Sequence, residues 1–508
     1  MVVTNNSISR RTTKSGCKTC KIRKVKCDES RPSCSRCTSS GRTCDGYGIW
    51  GGGDNRNAHV KRLTGFSSAK ALTVLSPTSG MTSLLSSLTA PEKRCFEWFT
   101  TRTIRKIPGP FALKYWDRLV VQACLTDSAV MHAVLAVGYV HSGGIECERG
   151  GNPAAQQQLV LQHYSKSIAQ LQPHFSSNDR TCLRITLITC IAYISLELLQ
   201  GRFQTAELHL ENGLRVLQAF RNYASREPAD GWIAQAFSRL CLQRALLRSG
   251  PSVPLSDDYD LVLPKSDKTF NTVEEAWTSL ESILSSILRI ASAAQTERMN
   301  KSQNKDFLRS LLQRQGAAKQ SLERWLEAFD ASTCEFVIPE QLPMVVRLLR
   351  SYYAMAAIMA ATCLGDSESQ YEEHTSDFEN LVYHSTEMWR YRENNPMTRR
   401  LQDCAMSMAH SMVDLGWLPP LFFAATKCRV NKIRWQAIDL MEYATHREGM
   451  WDSKITAAVA RMIVEAEETG CKRIRKIDVR LPNDDEVVNV MYDFENCDGA
   501  SEAAAARV

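Results

Sequence analysis

The stretch from residue 17 to 44, "CKTCKIRKVKCDESRPSCSRCTSSGRTC", constrains the fold more than any other part of this chain. Cys17, Cys20 and Cys27 follow the spacing C-x2-C-x6-C, and Cys34, Cys37 and Cys44 repeat it after a six-residue spacer, so the segment is an internal duplication. It is too short and too polar to bury a core of its own, and chains in that position are held together by disulfides or by metal. The opening "MVVTNNSISRR" has no apolar stretch of the kind a secretory signal needs, which makes disulfides the weaker expectation.

Thiolates are soft ligands, and four in a tetrahedron suit zinc. Six thiolates satisfy two four-coordinate ions only if two sulfurs bridge both metals. The twofold repeat points to the equivalent first cysteines, Cys17 and Cys34, as the bridging pair. A three-disulfide knot and a mononuclear site with two spare thiols are the alternatives, and the second would make the repeated spacing a coincidence. Six thiolates and two Zn2+ leave a charge of about −2 on the cluster. Residues 1–44 carry eleven Lys and Arg against Asp28 and Glu29, so this stretch holds +9 of a chain whose net charge is +7, and everything after Cys44 sums to −2. Basicity confined to one module is the footprint of a surface that meets a polyanion.

The two halves differ in what lies inside them. "KIRKVK", between Cys20 and Cys27, has four positive charges with Ile22 and Val25 three apart on one side of an expected helix. "TSSGRT", between Cys37 and Cys44, has one charge and a Gly41 suited to a turn. The first helix is therefore the expected reader of a charged partner and the second its support.

This segment resembles the fungal zinc binuclear cluster, or Zn(2)-C(6), transcription factors, whose signature is two C-x2-C-x6-C halves, a basic helix in the first, and a proline shortly before the fourth cysteine, here Pro32. The resemblance implies two zinc ions per chain on Cys17, Cys20, Cys27, Cys34, Cys37 and Cys44, with Cys17 and Cys34 bridging. It also implies a first helix whose end enters the major groove of double-stranded DNA over a CGG-like triplet. The base-contacting pair of that family falls on Arg23 and Lys24, and either side chain can donate to guanine O6 and N7. Lys18, Lys21 and Lys26 are the expected phosphate contacts.

Residues 49–90 are rich in Gly and Ser without a sustained apolar period and are expected to be a flexible linker joining a cluster module at 1–48 to the rest of the chain. Gly51, Gly52, Gly53, Pro77 and Gly80 interrupt any heptad there, so the expected state is a monomer or weak homodimer. From Pro91 the pattern becomes helical, with a large all-α domain expected over 91–475 and the chain as a whole mainly α. "LELLQGRFQTAELHLENGLRVLQAF" predicts two helices turning at Gly201, with Ala206, Leu210, Leu214 and Leu217 facing inward. The apolar stretches 185–196 and 353–364 are about a dozen residues long, short of a bilayer span, and are expected to be buried helix segments. Segments 96–123 and 414–468 resemble the two ends of the helical fungal-specific regulatory domain that accompanies such clusters.

The last stretch, 476–508, mixes acidic and apolar residues. It supports two readings, a disordered activation segment that folds on a coactivator and a strand or helix docked on the domain. "KRIRK" (472–476) is either an import signal or a basic helix end. No H-E-x-x-H, G-x-x-x-x-G-K-[ST] or G-x-S-x-G occurs, and His446 lacks a partner nucleophile in the sequence, so a surface or capping role is expected for it rather than catalysis. The expected function is that of a nuclear, sequence-specific regulator of RNA polymerase II transcription, with a metabolic or secondary-metabolite gene set among its targets. The rivals are a zinc cluster that binds protein or RNA, disfavoured by the lack of aromatics for base stacking, and a helical enzyme that uses the cluster for docking.

Overall fold

The structure is a computed structural model. It describes residues 19–20, 23–30, 34–42, 44, 84–109, 111, 115–147, 152–176, 179–221, 227–248, 269–300, 304–333, 342–365, 367–394, 412–443, 446–469, 473–481, 488–495 and 501–507. The chain divides into two compact units, Met1–Ser83 with Asn395–Asp403, and Leu84–Asn394 with Cys404–Val508. Of the expected linker 49–90, residues 49–83 lie outside the described residues.

Among the described residues of the first unit, the regular elements are a helical turn at Thr19 and Cys20 and a short helix, α1 (Ser35–Thr38). The side chains buried there are sulfurs, of Cys20, Cys27, Cys34, Cys37 and Cys44, with Val25 packed partly against them.

The second unit is built of helices whose ends are written locally. The first, α2 (Ala90–Trp98), opens on a capping box in which Thr89 and Glu92 satisfy each other's backbone amides. It runs through a π-helical turn, Phe99–Thr103, and a last turn, Ile104–Lys106. A second π-helical turn, Tyr115–Val120, leads into α3 (Val121–Thr126). Then come α4 (Ser128–Cys147), α5 (Pro153–Leu171, capped by Asn152), α6 (Arg180–Gln200, capped by Asp179) and α7 (Phe203–Arg221). Next are α8 (Pro228–Leu247), α9 (Val273–Met299, capped by Thr272), α10 (Lys305–Thr333), α11 (Leu342–Thr362) and α12 (Thr375–Asn394). The set ends with α13 (Leu418–Lys427), α14 (Asn431–Tyr443) and α15 (Ser453–Thr469). Consecutive helices pack as pairs, α4 on α5, α6 on α7, α9 on α10, α11 on α12, and α13 on α14. Gly201 ends α6 at φ 80°, and Ala206, Leu210 and Leu217 of α7 are buried with Leu214 half-buried, as the sequence predicts.

The two apolar stretches belong to longer helices than expected. Arg180–Gln200 and Met344–Thr362 are long and apolar enough to cross a bilayer by length and composition. The burial of α6 is that of a core helix, with 78% of its apolar window inside the unit, whereas 44% of the α11 window is buried, on the side that carries Leu349, Tyr352, Met355 and Ile358. Of the scattered cysteines among the described residues, Cys95, Cys124, Cys241 and Cys428 are buried and Cys182, Cys190 and Cys363 partly so. Burial pushes the Cys190 thiol up to about 12 and the Cys363 thiol up to about 11, which makes them poor nucleophiles.

Polar hubs hold distant helices together. Arg239 of α8, 2% exposed, places Nε 3.1 Å from Glu281 of α9 and Nη1 2.5 Å from Asp414, and also donates to the Phe111 carbonyl. Phe111 stacks on Trp277 at 4.1 Å. Two carboxylates share this one guanidinium, and burial pushes the Glu281 carboxyl up to about 7.

Of the surface or capping role expected for His446, the structure takes the second, and the residue is buried. Its Nε2 lies 2.6 Å from Glu448, whose carboxylate also accepts the backbone amides of Gly416, Trp417 and Leu418 at 3.1, 2.9 and 2.9 Å. Those are the unsatisfied donors at the start of α13, so the pair is a tertiary helix cap. It sits on a two-stranded ribbon, β1 (Arg447–Glu448) with β2 (Trp451–Asp452).

The C-terminal stretch takes the docked form of the two readings. β3 (Arg473–Arg480), β4 (Asn489–Glu495) and β5 (Ser501–Arg507) form an antiparallel meander in the order β3-β4-β5. "KRIRK" accordingly lies at and just before the start of a strand instead of at a helix end. A bulge between Ile474 and Lys476 inserts one extra residue, so Ile474 and Ile477, three apart, are both buried. Lys427 binds the extra residue's carbonyl, at Arg475, while Glu467 accepts the Ile474 amide. Glu467 and Glu368 are in turn paired with Arg429, Arg434 and Lys427, so the sheet is tied to α13, α14 and α15 through buried ions.

Candidate metal centre and nucleic-acid interface

The cysteines separated by up to 24 residues in sequence from Cys20 to Cys44 converge because each half folds back on itself in the same way. In the first half the Arg23 amide bonds the Thr19 carbonyl and the Val25 amide reaches the Cys20 carbonyl, 3.1 and 3.0 Å. Lys24 between them has φ 54°. In the second half the Arg42 amide reaches the Cys37 carbonyl at 2.9 Å, the Gly41 amide reaches Thr38 at 3.0 Å, and Gly41 has φ 63°. Both are Schellman closures, in which a left-handed residue ends the helix and turns the chain back. Positions 20, 23, 24, 25 and 27 thus match 37, 40, 41, 42 and 44, and the sequence duplication is a structural one.

Val25 follows the left-handed Lys24 and lies against the sulfurs, while Ile22, expected on the same helix side, lies outside the described residues. Arg23 and Lys24 form a turn, closed by the hydrogen bonds to the Thr19 and Cys20 carbonyls, and Val25 to Cys27 continue without a helix.

Cys20, Cys27 and Cys34 place their sulfurs within 4.8 Å of one another, as do Cys34, Cys37 and Cys44. Cys34 belongs to both groups. Cys20 and Cys34 sulfurs are 3.6 Å apart, and Cys20 and Cys37 sulfurs 3.8 Å. Zinc with Zn–S bonds of about 2.3 Å sets neighbouring tetrahedral sulfurs about 3.8 Å apart, far from the roughly 2.05 Å of a disulfide. The donor set, its burial and its spacing fit zinc. The Cys34 amide also points at Cys44 Sγ, 3.4 Å away, a donor suited to a thiolate. Cys17, Lys18, Lys21 and Pro32 lie outside the described residues.

Around the sulfurs the surface is basic. Lys24, Lys26, Arg36 and Arg42 are exposed, and Arg23 is half-buried with Nη1 donating to Ser40 Oγ at 3.1 Å. Sequence reasoning missed Asp28. Its carboxylate accepts the amides of Ser35 and Arg36 at 2.9 and 3.1 Å, capping α1, and takes the Ser30 hydroxyl as well. Those bonds hold its carboxyl well below the usual carboxylate range, the Ser30 hydroxyl first among them. A signal was available in Asp28 lying ahead of a helix start, but the seven-residue reach to Ser35 is not a local capping pattern. Missed too was the left-handed backbone of Lys24, which the register of the two halves, Lys24 on Gly41, could have disclosed.

A cysteine-cored module with an exposed basic turn, on a chain with a large helical unit, defines a metal-dependent nucleic-acid-binding regulator. Residues 15–49 match the fungal Zn(2)-Cys(6) binuclear cluster domain, and residues 95–459 match the fungal specific transcription factor domain. The chain belongs to the fungal Zn(2)-Cys(6) transcription factors: it is a zinc-binding, DNA-binding regulator and not an enzyme. The Aspercryptin biosynthesis cluster-specific transcription regulator atnN of Emericella nidulans is 25% identical over 542 residues, covering 90% of this chain and 87% of that protein. Transcription regulator lscL of Purpureocillium lilacinum is 27% identical over 241 residues, 45% of this chain and 54% of that one. Transcriptional regulatory protein moc3 of Schizosaccharomyces pombe is 51% identical over 39 residues, 8% of each chain. No solved structure matches the chain.

Proposed function

We propose that the chain holds two zinc ions and uses them to present a base-reading turn to duplex DNA in the nucleus, regulating RNA polymerase II transcription. Cys34, common to both sulfur groups, is the observation that carries this reading. One ion would be held by Cys17, Cys20, Cys27 and Cys34 and the other by Cys17, Cys34, Cys37 and Cys44. Zinc supplies cross-links in place of a hydrophobic core and leaves the surface free to be basic.

Arg23 and Lys24, at the end of the first helical turn, would meet the bases of a CGG-like triplet, with Lys18, Lys21 and Lys26 on phosphates. The left-handed turn at Lys24 supports this, since Lys24 is exposed there and Arg23 beside it is half-exposed. The atnN relative, whose name states a biosynthesis cluster, favours a secondary-metabolite gene set as target. Any coactivator contact by the C-terminal stretch would use the outer face of a folded sheet. A chain binding one triplet as a monomer or weak homodimer follows from the interrupted linker.

Metal analysis and selection of sites from randomised duplex DNA test the proposal together. Two zinc ions per chain and a selected CGG-like triplet are expected. One zinc per chain would remove the bridging model, and an unselective pool would remove sequence-specific reading.

A further inference from the structure

Arg23 and Ser40 are twin positions of the duplicated cluster, and they touch. Arg23 Nη1 lies 3.1 Å from Ser40 Oγ. The Ser40 hydroxyl is itself directed at the carbonyls of Arg36 and Cys37, at 2.9 and 3.1 Å. A hydroxyl has one proton and two lone pairs. With its proton committed to α1's carbonyls, Ser40 presents only lone pairs to Arg23, so the arginine donates and the serine accepts.

The anchor is rigid. Ser40 closes the end of the second helical turn, its amide bonded to the Cys37 carbonyl at 3.2 Å, and the Gly41 turn follows it directly. A long arginine normally samples many rotamers, and fixing them before binding lowers the entropic cost of recognition. Tethering one guanidinium nitrogen leaves the Nε and Nη2 edge to pair with two acceptors in line, the arrangement that distinguishes guanine O6 and N7 from other base edges.

We propose that Ser40, in the half that carries no base-reading helix, is a positioning residue: it orients the Arg23 guanidinium and thereby sets how sharply the module discriminates among DNA sequences. The inference rests on the reading of Arg23 as a base contact.

The test uses the full zinc-loaded chain with two probes, a duplex selected by the wild-type chain from randomised DNA and a scrambled duplex of equal length. Ser40→Ala is expected to keep its zinc and its affinity for the scrambled duplex while the ratio of selected to scrambled affinity falls about three- to tenfold, the net worth of one solvent-exposed hydrogen bond. Ser40→Thr keeps the hydroxyl and is expected to restore most of the ratio. In an Arg23→Ala background, Ser40→Ala should change the ratio no further. Should Arg23→Ala leave the ratio intact, the base-contact reading itself fails. If Arg23→Ala lowers the ratio but Ser40→Ala does not, or if Ser40→Ala releases zinc, Ser40 belongs to the scaffold and the positioning role is overturned.

Discussion

Lys24 and Gly41 occupy the same left-handed turn in the two halves, at φ 54° and 63°, and exchanging their residue types has a calculable outcome. A side chain in that region costs roughly 1–2 kcal/mol. Glycine's extra freedom in the unfolded chain takes back roughly 0.5–1 kcal/mol. Lys24→Gly should therefore stabilise the cluster by about 0.5–1 kcal/mol. A Cβ added at Gly41 meets nothing within 4 Å, so Gly41→Lys suffers only the backbone strain and should lose a similar amount. Because the module's folding is linked to metal binding, the product of its zinc affinities should rise about two- to fivefold in the first variant and fall by as much in the second. Competition with a chromophoric chelator measures this. The more stable Lys24→Gly chain should bind the selected duplex more weakly, having lost a cation at the reading tip. A Lys24→Gly chain that releases zinc more readily, or a Gly41→Lys chain that is unchanged, would refute the assignment of strain to Lys24.

Cys34→Ala should lose both metals, whereas Cys37→Ala should keep close to one, as counted by native mass spectrometry; equal retention would argue against a shared sulfur. Arg23→Ala should cost about 1–3 kcal/mol on the selected duplex and little on the scrambled one, whereas Lys26→Ala should weaken both alike and lower the salt slope by about one counterion. Burial, with Lys106 and Arg102 nearby, pushes the His141 imidazole down to about 3, from 6.5 when unfolded. The unfolded chain therefore binds the proton that the folded chain refuses, and stability falls as pH drops below 6.5, by about 2 kcal/mol from this group at pH 5. His141→Gln keeps an acceptor for Thr103 and should flatten that part of the pH dependence of thermal unfolding; an unaltered slope would count against it. Glu448→Ala strands three amides at the start of α13 and the His446 ring, and a loss of about 3–5 kcal/mol in denaturant unfolding is expected; a loss below about 1 kcal/mol would show that the cap is dispensable.

What could be read from the sequence was what short range determines. The turn at Gly201 and the inward stripe of Ala206, Leu210 and Leu217 depend on neighbours within a turn or two, and they appear in the structure as expected. Even the Lys24 turn was encoded locally, in the register of the duplicated halves.

Tertiary structure decided the rest, because the deciding partners are remote. The composition of the stretch after 476 left disorder and docking both open, and the sheet that forms is anchored through its first strand, where Lys427, Glu467 and Arg248, far away in the chain, satisfy backbone groups at Arg475, Ile474 and Val479. For His446 a surface and a capping role were both open, and the second holds because Glu448 beside it caps α13 at Leu418, 30 residues away. Arg239 is buried because Asp414, 175 residues on, and Glu281 neutralise it. Composition records that such a residue is charged. Only the fold supplies the opposite charge that lets it leave water.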